Sequence, residues 1–347
     1  MIGKLAVVLF NLGGPDSLPA VRPFLFNLFK DPAIIRLPFG LRHLVAWLIA
    51  RRRGPIAAEI YGKIGGRSPI MPGTEAQAAA LKDSLRGLAA DIRVEIAMRY
   101  WHPFAGEAAR SLAQWQPDRV VLLPLYPQFS TTTTASSLAD WRKAARRAGL
   151  TAPENAICCY PRNSGWVMAQ ADLLRMALAE AGEGTPLRVL FSAHGLPKKI
   201  VAAGDPYQEQ VEIGARAIVA TLGRAELDWQ VCYQSRVGPL EWIGPSTEAE
   251  IRRAGKEGKG LIVLPIAFVS EHSETLVELD IEYAELARHS GVPFYRRVAT
   301  VGDHPLFIAG LAAMVGEALQ GEKPIRSGEE FRICSARCGG CAYGEAE

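Results

Sequence analysis

One histidine stands where an apolar run stops. Leu190 to Lys199 reads Leu-Phe-Ser-Ala-His-Gly-Leu-Pro-Lys-Lys, so His194 falls in a small-residue turn just after Val189 to Phe191. A titratable imidazole at a strand end is a candidate general base near neutral pH. The ordinary alternative is a ring spent on hydrogen bonds within the turn. A second chemical stretch runs from Phe268 to Tyr283. There Glu274, Glu278 and Glu282 recur every four residues and line one face of a helix. Like charges at that spacing repel, and a solvated acidic face is their usual fate. Here Leu276, Leu279 and Tyr283 supply a separate apolar face, which leaves the glutamates free to point into a cleft. A row of carboxylates leading to a histidine suits proton removal, or the guiding of a hard or borderline cation. Glu271 and His272 head the row, either as helix-start residues or as further members of it.

Other chemical residues also follow apolar strands. Arg99, in Met98-Arg99-Tyr100-Trp101-His102-Pro103, and Arg236, in Cys232 to Pro239, suit bidentate binding of a carboxylate or the capping of a loop. Tyr126 and Trp242 suit an aromatic wall or simply core. Ser130 to Thr134 lacks the glycines and lysine of a phosphate loop and reads as a hydroxyl-rich turn. The tail carries Cys334, Cys338 and Cys341 within eight residues. Three thiols that close together point to a metal or iron–sulfur centre more than to disulfides. Cys158 and Cys159 are the candidates for a fourth ligand, ahead of Cys232. Four cysteines serve zinc as well as an iron–sulfur cluster, and the plain alternative is a terminus with spare thiols.

The elements that must position these residues are strands and helices in alternation. Lys4 to Phe10 is a continuous apolar run, as expected of a strand buried on both faces of a parallel sheet. It leads into Asn11-Leu12-Gly13-Gly14-Pro15, which resembles the turn around His194 with one insertion. Val121-Leu122-Leu123-Pro124-Leu125 is matched in the same way by Ile262-Val263-Leu264-Pro265-Ile266. Helical stretches are expected over 74–88, 105–115, 166–180, 206–222 and 246–257. The pattern predicts an α/β protein of two halves with the same strand order, each a doubly wound parallel sheet. Glu183 to Pro186 is the expected linker. The division is then an N-terminal half over 1–182, a C-terminal half over 183–320 and a tail over 321–347, with the ligand cleft between the halves.

The whole chain of 347 residues has 39 Lys and Arg against 36 Asp and Glu, a net charge of +3. That balance gives no reason to expect a nucleic-acid partner. No apolar run approaches the ~20 residues of a membrane span. Without a small-residue cleavage site after Leu9, a cytoplasmic location is expected. Residues 37–55 differ from their surroundings. Leu41, Leu44, Val45, Leu48 and Ile49 fall at helical spacing beside Trp47, and Arg51, Arg52 and Arg53 close the run. An apolar face with a basic end suits a helix lying in a membrane surface. The alternative is a helix packed on the protein, its arginines complementing the C-terminal dipole.

Taken together the motifs resemble the ferrochelatase family along nearly the whole chain. They are Asn11 to Pro15, Pro23 to Phe29, Ile64 to Pro69, Phe191 to Pro197, Gly204 to Tyr207, Tyr233 to Pro239 and Ser270 to Leu276, in that order. The start resembles the protoporphyrin-using branch rather than the coproporphyrin-using one. The resemblance implies two Rossmann-like halves about a cleft and insertion of Fe²⁺ into protoporphyrin IX, the terminal step of haem synthesis. It implies His194 and Glu274 as the pair facing the macrocycle and the substrate iron. Glu278 and Glu282 would follow on a helix that widens into a π-type turn, with Glu271 and His272 beside them. Leu12, Arg99, Tyr100, Tyr126 and Trp242 would surround the porphyrin. The 37–55 stretch would form the pocket's lip at the inner membrane surface, a peripheral association, with a homodimer as the candidate assembly. Some members hold a [2Fe–2S] cluster through tail cysteines. In the animal-type pattern a fourth cysteine follows the Tyr-Pro-Gln loop. Here that loop, Tyr126 to Thr131, has none, so Cys158, ahead of Cys159, is the expected fourth ligand with Cys334, Cys338 and Cys341. The competing readings are a cobalt chelatase, a two-lobed periplasmic binding protein, and a haem or iron sensor. The acidic row and the missing export signal argue against the second.

Overall fold

The computed structural model describes residues 2–345 apart from 183, 185, 237, 322 and 330. Glu183 and Thr185 of the expected linker, and Val237 of the strand-end motif, thus lie outside the described residues. The chain forms two compact units. Unit 1 holds the chain up to Tyr126, Ser130–Cys158 and Ala312–Arg326. Unit 2 holds Pro127–Phe129, Cys159–Leu311 and the chain from Ser327 onward. Residues 159–182 therefore belong with unit 2, ahead of the division near 183 expected from the sequence. The reason is packing: their helix, α6 (Ser164–Glu180), lies on elements of that unit.

In unit 1 the strands are β1 (Ile2–Asn11), β2 (Ala89–Met98), β3 (Arg119–Pro124), β4 (Glu154–Ile157) and, last in the chain, β9 (Ile325–Arg326). All pair in parallel, in the order β2-β1-β3-β4-β9. Leu5 to Phe10 are buried on both faces, which is why the run is apolar without alternation. The helices are α1 (Val21–Phe29), α2 (Phe39–Gly62), α3 (Ile70–Ser84), α4 (Ala105–Trp115) and α5 (Thr134–Ala148). α3 begins four residues before the expected Thr74, because Pro72 falls in the first turn, where no amide hydrogen is needed. α4 and α5 bury Leu112 and Trp141 against β1 and β3. Phe10 meets Trp141 edge-on at 5.9 Å. Burying a ring of that size contributes roughly 3 kcal/mol.

α2 departs from its expected form. It runs on through Arg51, Arg52, Arg53 and Pro55 to Gly62. The arginines are therefore mid-helix and do not complement its C-terminal dipole. The inward face is made of small residues, Ala46, Ala50 and Gly54, which lets α2 approach α1 closely. The large apolar residues Phe39, Leu41, Leu44, Trp47, Leu48 and Ile56 are exposed. Among the described residues no helix is long and apolar enough to cross a membrane.

In unit 2 the strands are β5 (Leu187–His194), β6 (Trp229–Gln234), β7 (Gly260–Pro265) and β8 (Tyr295–Arg297), parallel throughout in the order β6-β5-β7-β8. After α6 come α7 (Lys198–Ala202), α8 (Tyr207–Leu222), α9 (Thr247–Lys256), a π-helix (Glu274–Tyr283), α10 (Ala284–His289) and α11 (Pro305–Gln320). The first four strands of unit 1 and the four of unit 2 share one order, as the paired sequence motifs predict. Their registers agree in detail. Phe10 pairs with Pro124 as Ser192 pairs with Pro265. The Leu125 amide donates to the Phe10 carbonyl as the Ile266 amide donates to that of Ser192. Leu12 is thus the positional counterpart of His194.

Candidate active site

His194 is the last residue of β5, and the strand fixes its backbone while the following turn fixes its ring. Nδ1 lies 2.7 Å from the Gly195 carbonyl. A carbonyl only accepts, so Nδ1 carries the hydrogen and Nε2 is left with its lone pair. Nε2 faces Oε1 of Glu274 at 3.6 Å. That is longer than a hydrogen bond, and the ring is partly open to solvent. The turn itself is tight: a Cβ on Gly195 would lie 2.8 Å from the Gln234 carbonyl and 3.2 Å from the Trp242 ring. Only glycine lets the backbone of β6 and the indole of Trp242 come so near His194. Pro197 and Trp242 form an antiparallel bridge, which holds that indole in place.

Glu274 opens the π-helix, the widened turn that the resemblance implied. Its second oxygen lies 3.5 Å from Nε2 of His272. Burial by itself would raise this carboxyl's pKa. The facing His194 and His272 outweigh that and hold it at about 2. Glu274 is therefore the carboxylate partner of these rings in their protonated form. His272 is buried, stacks 4.5 Å from Phe268, and leaves Nδ1 without a partner among the described residues.

The other carboxylates of the row differ. Glu278 accepts from the Ser235 amide at 2.7 Å, from Gln234 Nε2 at 3.0 Å and from the Tyr283 hydroxyl at 2.9 Å, and the Ser235 hydroxyl adds a fourth donor. Burial, and then the Glu274 charge, nevertheless raise its pKa. Those donors hold Ser235 at φ 59°, a left-handed conformation unfavourable for a side chain. Glu282 is exposed. Glu271 is tied down elsewhere: Arg297 lies 2.7 Å away, and the Thr300 amide and Thr275 hydroxyl donate to it. Arg297, which the sequence reading did not single out, also grips Asp280, and nothing in Tyr295-Arg296-Arg297 marks it beforehand.

The candidates in unit 1 form their own network. Amides of Arg99 and Tyr100 donate to the carbonyls of Asn11 and Leu12, so the ends of β1 and β2 are laced together. Asp31, which the sequence reading passed over, is the centre. Arg99 Nη2 lies 2.7 Å from it, the Tyr100 hydroxyl 2.9 Å and the Ser136 hydroxyl 2.7 Å, and the Ala33 amide donates to its other oxygen. Its only sequence signal is an Asp-Pro turn after a helix. Tyr100 is wholly buried, and burial raises its phenol, as it does that of Tyr126.

Cys334, Cys338 and Cys341 pack together, buried, in unit 2. Gln210 Nε2 donates to Cys334 Sγ at 2.9 Å, and Cys338 Sγ lies 3.4 Å from Glu209. Among the described residues, however, no group of three or more His, Cys, Asp or Glu side chains is arranged to hold a metal ion. The thiols as placed do not fit a cluster. Cys158 and Cys159 are both buried, and the chain passes from unit 1 to unit 2 between them.

Comparison with known proteins gives the family. The ferrochelatase family model matches residues 4–319. A ferrochelatase of Caulobacter vibrioides is 54% identical over 98% of this chain and 96% of its own length. One of Phenylobacterium zucineum is 54% identical over 98% of both chains. Among solved structures, SirB from Bacillus subtilis with Fe³⁺ superposes with a TM-score of 0.52 at 11% identity, covering 91% of this chain and 96% of that one. The sirohydrochlorin chelatase SirB of Bacillus subtilis subspecies spizizenii in complex with cobalt gives 0.53 at 11% identity, covering 92% and 97%. At such identities these two speak for the fold alone. The sequence matches do more: the chain belongs to the ferrochelatase family, enzymes that place ferrous iron in protoporphyrin.

Proposed function

We propose that this chain makes protohaem by a route in which His194 Nε2 accepts a pyrrole proton and Glu274 balances the resulting imidazolium. The observation that carries this is the lone pair of Nε2, left free by the Nδ1 contact, beside a carboxyl whose pKa the imidazolium would hold low. Metallation removes two pyrrole protons while the ferrous ion sheds its waters. Glu278 then takes the proton onward and Glu282 passes it to solvent, and His194, neutral again, accepts the second pyrrole proton and sheds it by the same route. In support, the Glu278 carboxyl is the better proton acceptor, raised where Glu274 is lowered. The imidazole–carboxylate pair also suits Fe²⁺ as a transient ligand set. Leu12, Arg99, Tyr100, Tyr126 and Trp242 are proposed as the porphyrin contacts. Binding energy from the ring's periphery offsets the bending that exposes its nitrogens.

Three further parts belong to this reading. The exposed apolar row of α2, with Arg51 stacked 5.4 Å over Trp47, is proposed to rest on a membrane surface from the cytoplasmic side. A homodimer is the proposed assembly. A [2Fe–2S] cluster on Cys334, Cys338, Cys341 and Cys158 has in its favour only the gathering of three buried tail thiols, and against it the lack of a metal-holding arrangement among the described residues. An absorbance spectrum of anaerobically purified protein decides that point. The enzyme reading is tested by anaerobic insertion of iron, or of zinc as a surrogate, into protoporphyrin. No metalloporphyrin overturns it. Metallation by cobalt of a different tetrapyrrole alone would favour the cobalt-chelatase alternative.

A further inference from the structure

Unit 1 contains a second concave site, which shares only Arg99 with the proposed porphyrin contacts. A cavity of about 440 Å³ lies where the end of α1, the start of α4 and the outer face of α5 meet. Five cations line it: Lys30, Arg99, Arg110, Lys143 and Arg147. One carboxylate does, Asp140, 3.5 Å from Arg99. Arg99 is already held by Asp31. Lys30 donates to Asn27, a neutral partner, at 2.7 Å. None of Lys30, Arg110, Lys143 and Arg147 has a carboxylate within ion-pair distance among the described residues. Partial burial, and then the Arg99 charge, hold Lys30 below its ordinary pKa. Phe104, Ala144 and Ala148 give the cavity an apolar wall.

Clustered cations without counter-charges repel each other, and a bound anion relieves that repulsion. Four such cations exceed the single charge of a carboxylate. They match the charge and multiple acceptors of a phosphate group, which guanidinium forks bind in bidentate fashion. We propose that this cavity binds a phosphate-bearing anion, with its organic part against Phe104 and the alanines.

Two sources carry that chemistry, a soluble phosphate ester and a phospholipid headgroup. Lys30 links the cavity to the exposed row of α2. Its ammonium stands 5.3 Å over the Phe26 ring, Phe26 meets His43 at 6.2 Å, and His43 meets Phe39 at 4.2 Å. Phe39 is 74% exposed. An anionic lipid seated under α2 would therefore have a basic pocket a few ring-widths away. The cavity itself stands without the membrane reading, so the test has two arms.

The variant is Lys143→Gln with Arg147→Gln, both on the exposed face of α5 and outside the proposed machinery. In the first arm, glycerol 3-phosphate and inorganic phosphate are titrated into the full-length protein by calorimetry. In the second, sedimentation measures binding to phosphatidylcholine vesicles with and without phosphatidylglycerol. A basic side chain near an anionic surface is worth about fivefold in affinity, so the double variant should lose about thirtyfold. Loss in the calorimetric arm alone supports the site with a soluble ligand. Loss of the phosphatidylglycerol-dependent binding supports it with a headgroup. The proposal is overturned if wild type binds neither probe, or if the variant melts at the wild-type temperature and binds both as wild type does. Wild-type vesicle binding that persists without phosphatidylglycerol and disappears in Phe39→Ser bears on the membrane reading alone.

Discussion

The ends of β1 and β5 are built to the same register, yet their carboxylates live differently. Near β1, Asp31 is sealed from water and takes four donors, one of them a guanidinium. Three of these donors crowd onto one oxygen inside the fold, so the carboxylate holds Arg99 and Tyr100 in place, away from any reacting group. At β5, Glu274 faces two imidazoles at 3.5 and 3.6 Å and is partly open to solvent. Its charge is stabilised but its oxygens are not saturated. A saturated carboxylate stiffens a fold; an under-coordinated one beside a free lone pair is available for chemistry.

The comparison breaks first at the β5 end. His194→Ala should cut metallation of protoporphyrin by about 10²–10⁴-fold while porphyrin still binds, followed by stopped assays and fluorescence quenching. Wild-type turnover would remove the histidine from the reaction. The β1 end should answer in stability instead. Asp31→Ala leaves Arg99 without its partner and should cost about 3 kcal/mol in denaturant unfolding. If that variant folds as well as wild type but is inactive, the division between the two carboxylates fails.

Glu278 lies between the two cases, with four donors but a raised pKa. Glu278→Gln should slow turnover by about tenfold, less than Glu274→Gln, and should lower the melting temperature because Ser235 loses its clamp. The opposite ranking of the two rates would reverse the proposed direction of proton flow. The smallest effect belongs to a purely structural carboxylate in unit 2. Burial alone would raise Asp228, but hydrogen bonds from Arg188 and Lys259 outweigh it and keep the carboxyl below its usual range. Its stabilisation is complete above the ordinary carboxylate pKa and fades as pH falls through the lowered one. Asp228→Asn should therefore cost about 1 kcal/mol at pH 7 and progressively less as pH falls below the ordinary carboxylate range, read from melts across that range.

What could be read in advance follows from physics that is local. Apolar runs without alternation announce strands buried on both faces, and paired Pro motifs announce two sheets of one order. Glutamates four apart announce a shared helical face, and only geometry could show that their three environments differ. Asp31 was illegible because an Asp-Pro turn looks the same whether or not an arginine from a distant strand closes on it. The length of α2 was illegible because Pro55 and three arginines suggest an end, while close packing of Ala46, Ala50 and Gly54 on α1 carries the helix past them. The assignment of 159–182 to unit 2 depends on where α6 packs, which no local signal carries.

The last strand has a consequence for how the chain is made. β9 pairs Ile325 with Ala156 and Arg326 with Ile157, so the edge of the unit 1 sheet is closed by residues that follow all four strands of unit 2 in the chain. Until they leave the ribosome, β4 presents unpaired amides and carbonyls. The Cys159–Leu311 part of unit 2 can fold in that interval. Completion of the first sheet thus waits until the strands of unit 2 have been made, and a chain stopped short of Pro324 exposes an edge that a second nascent copy can extend.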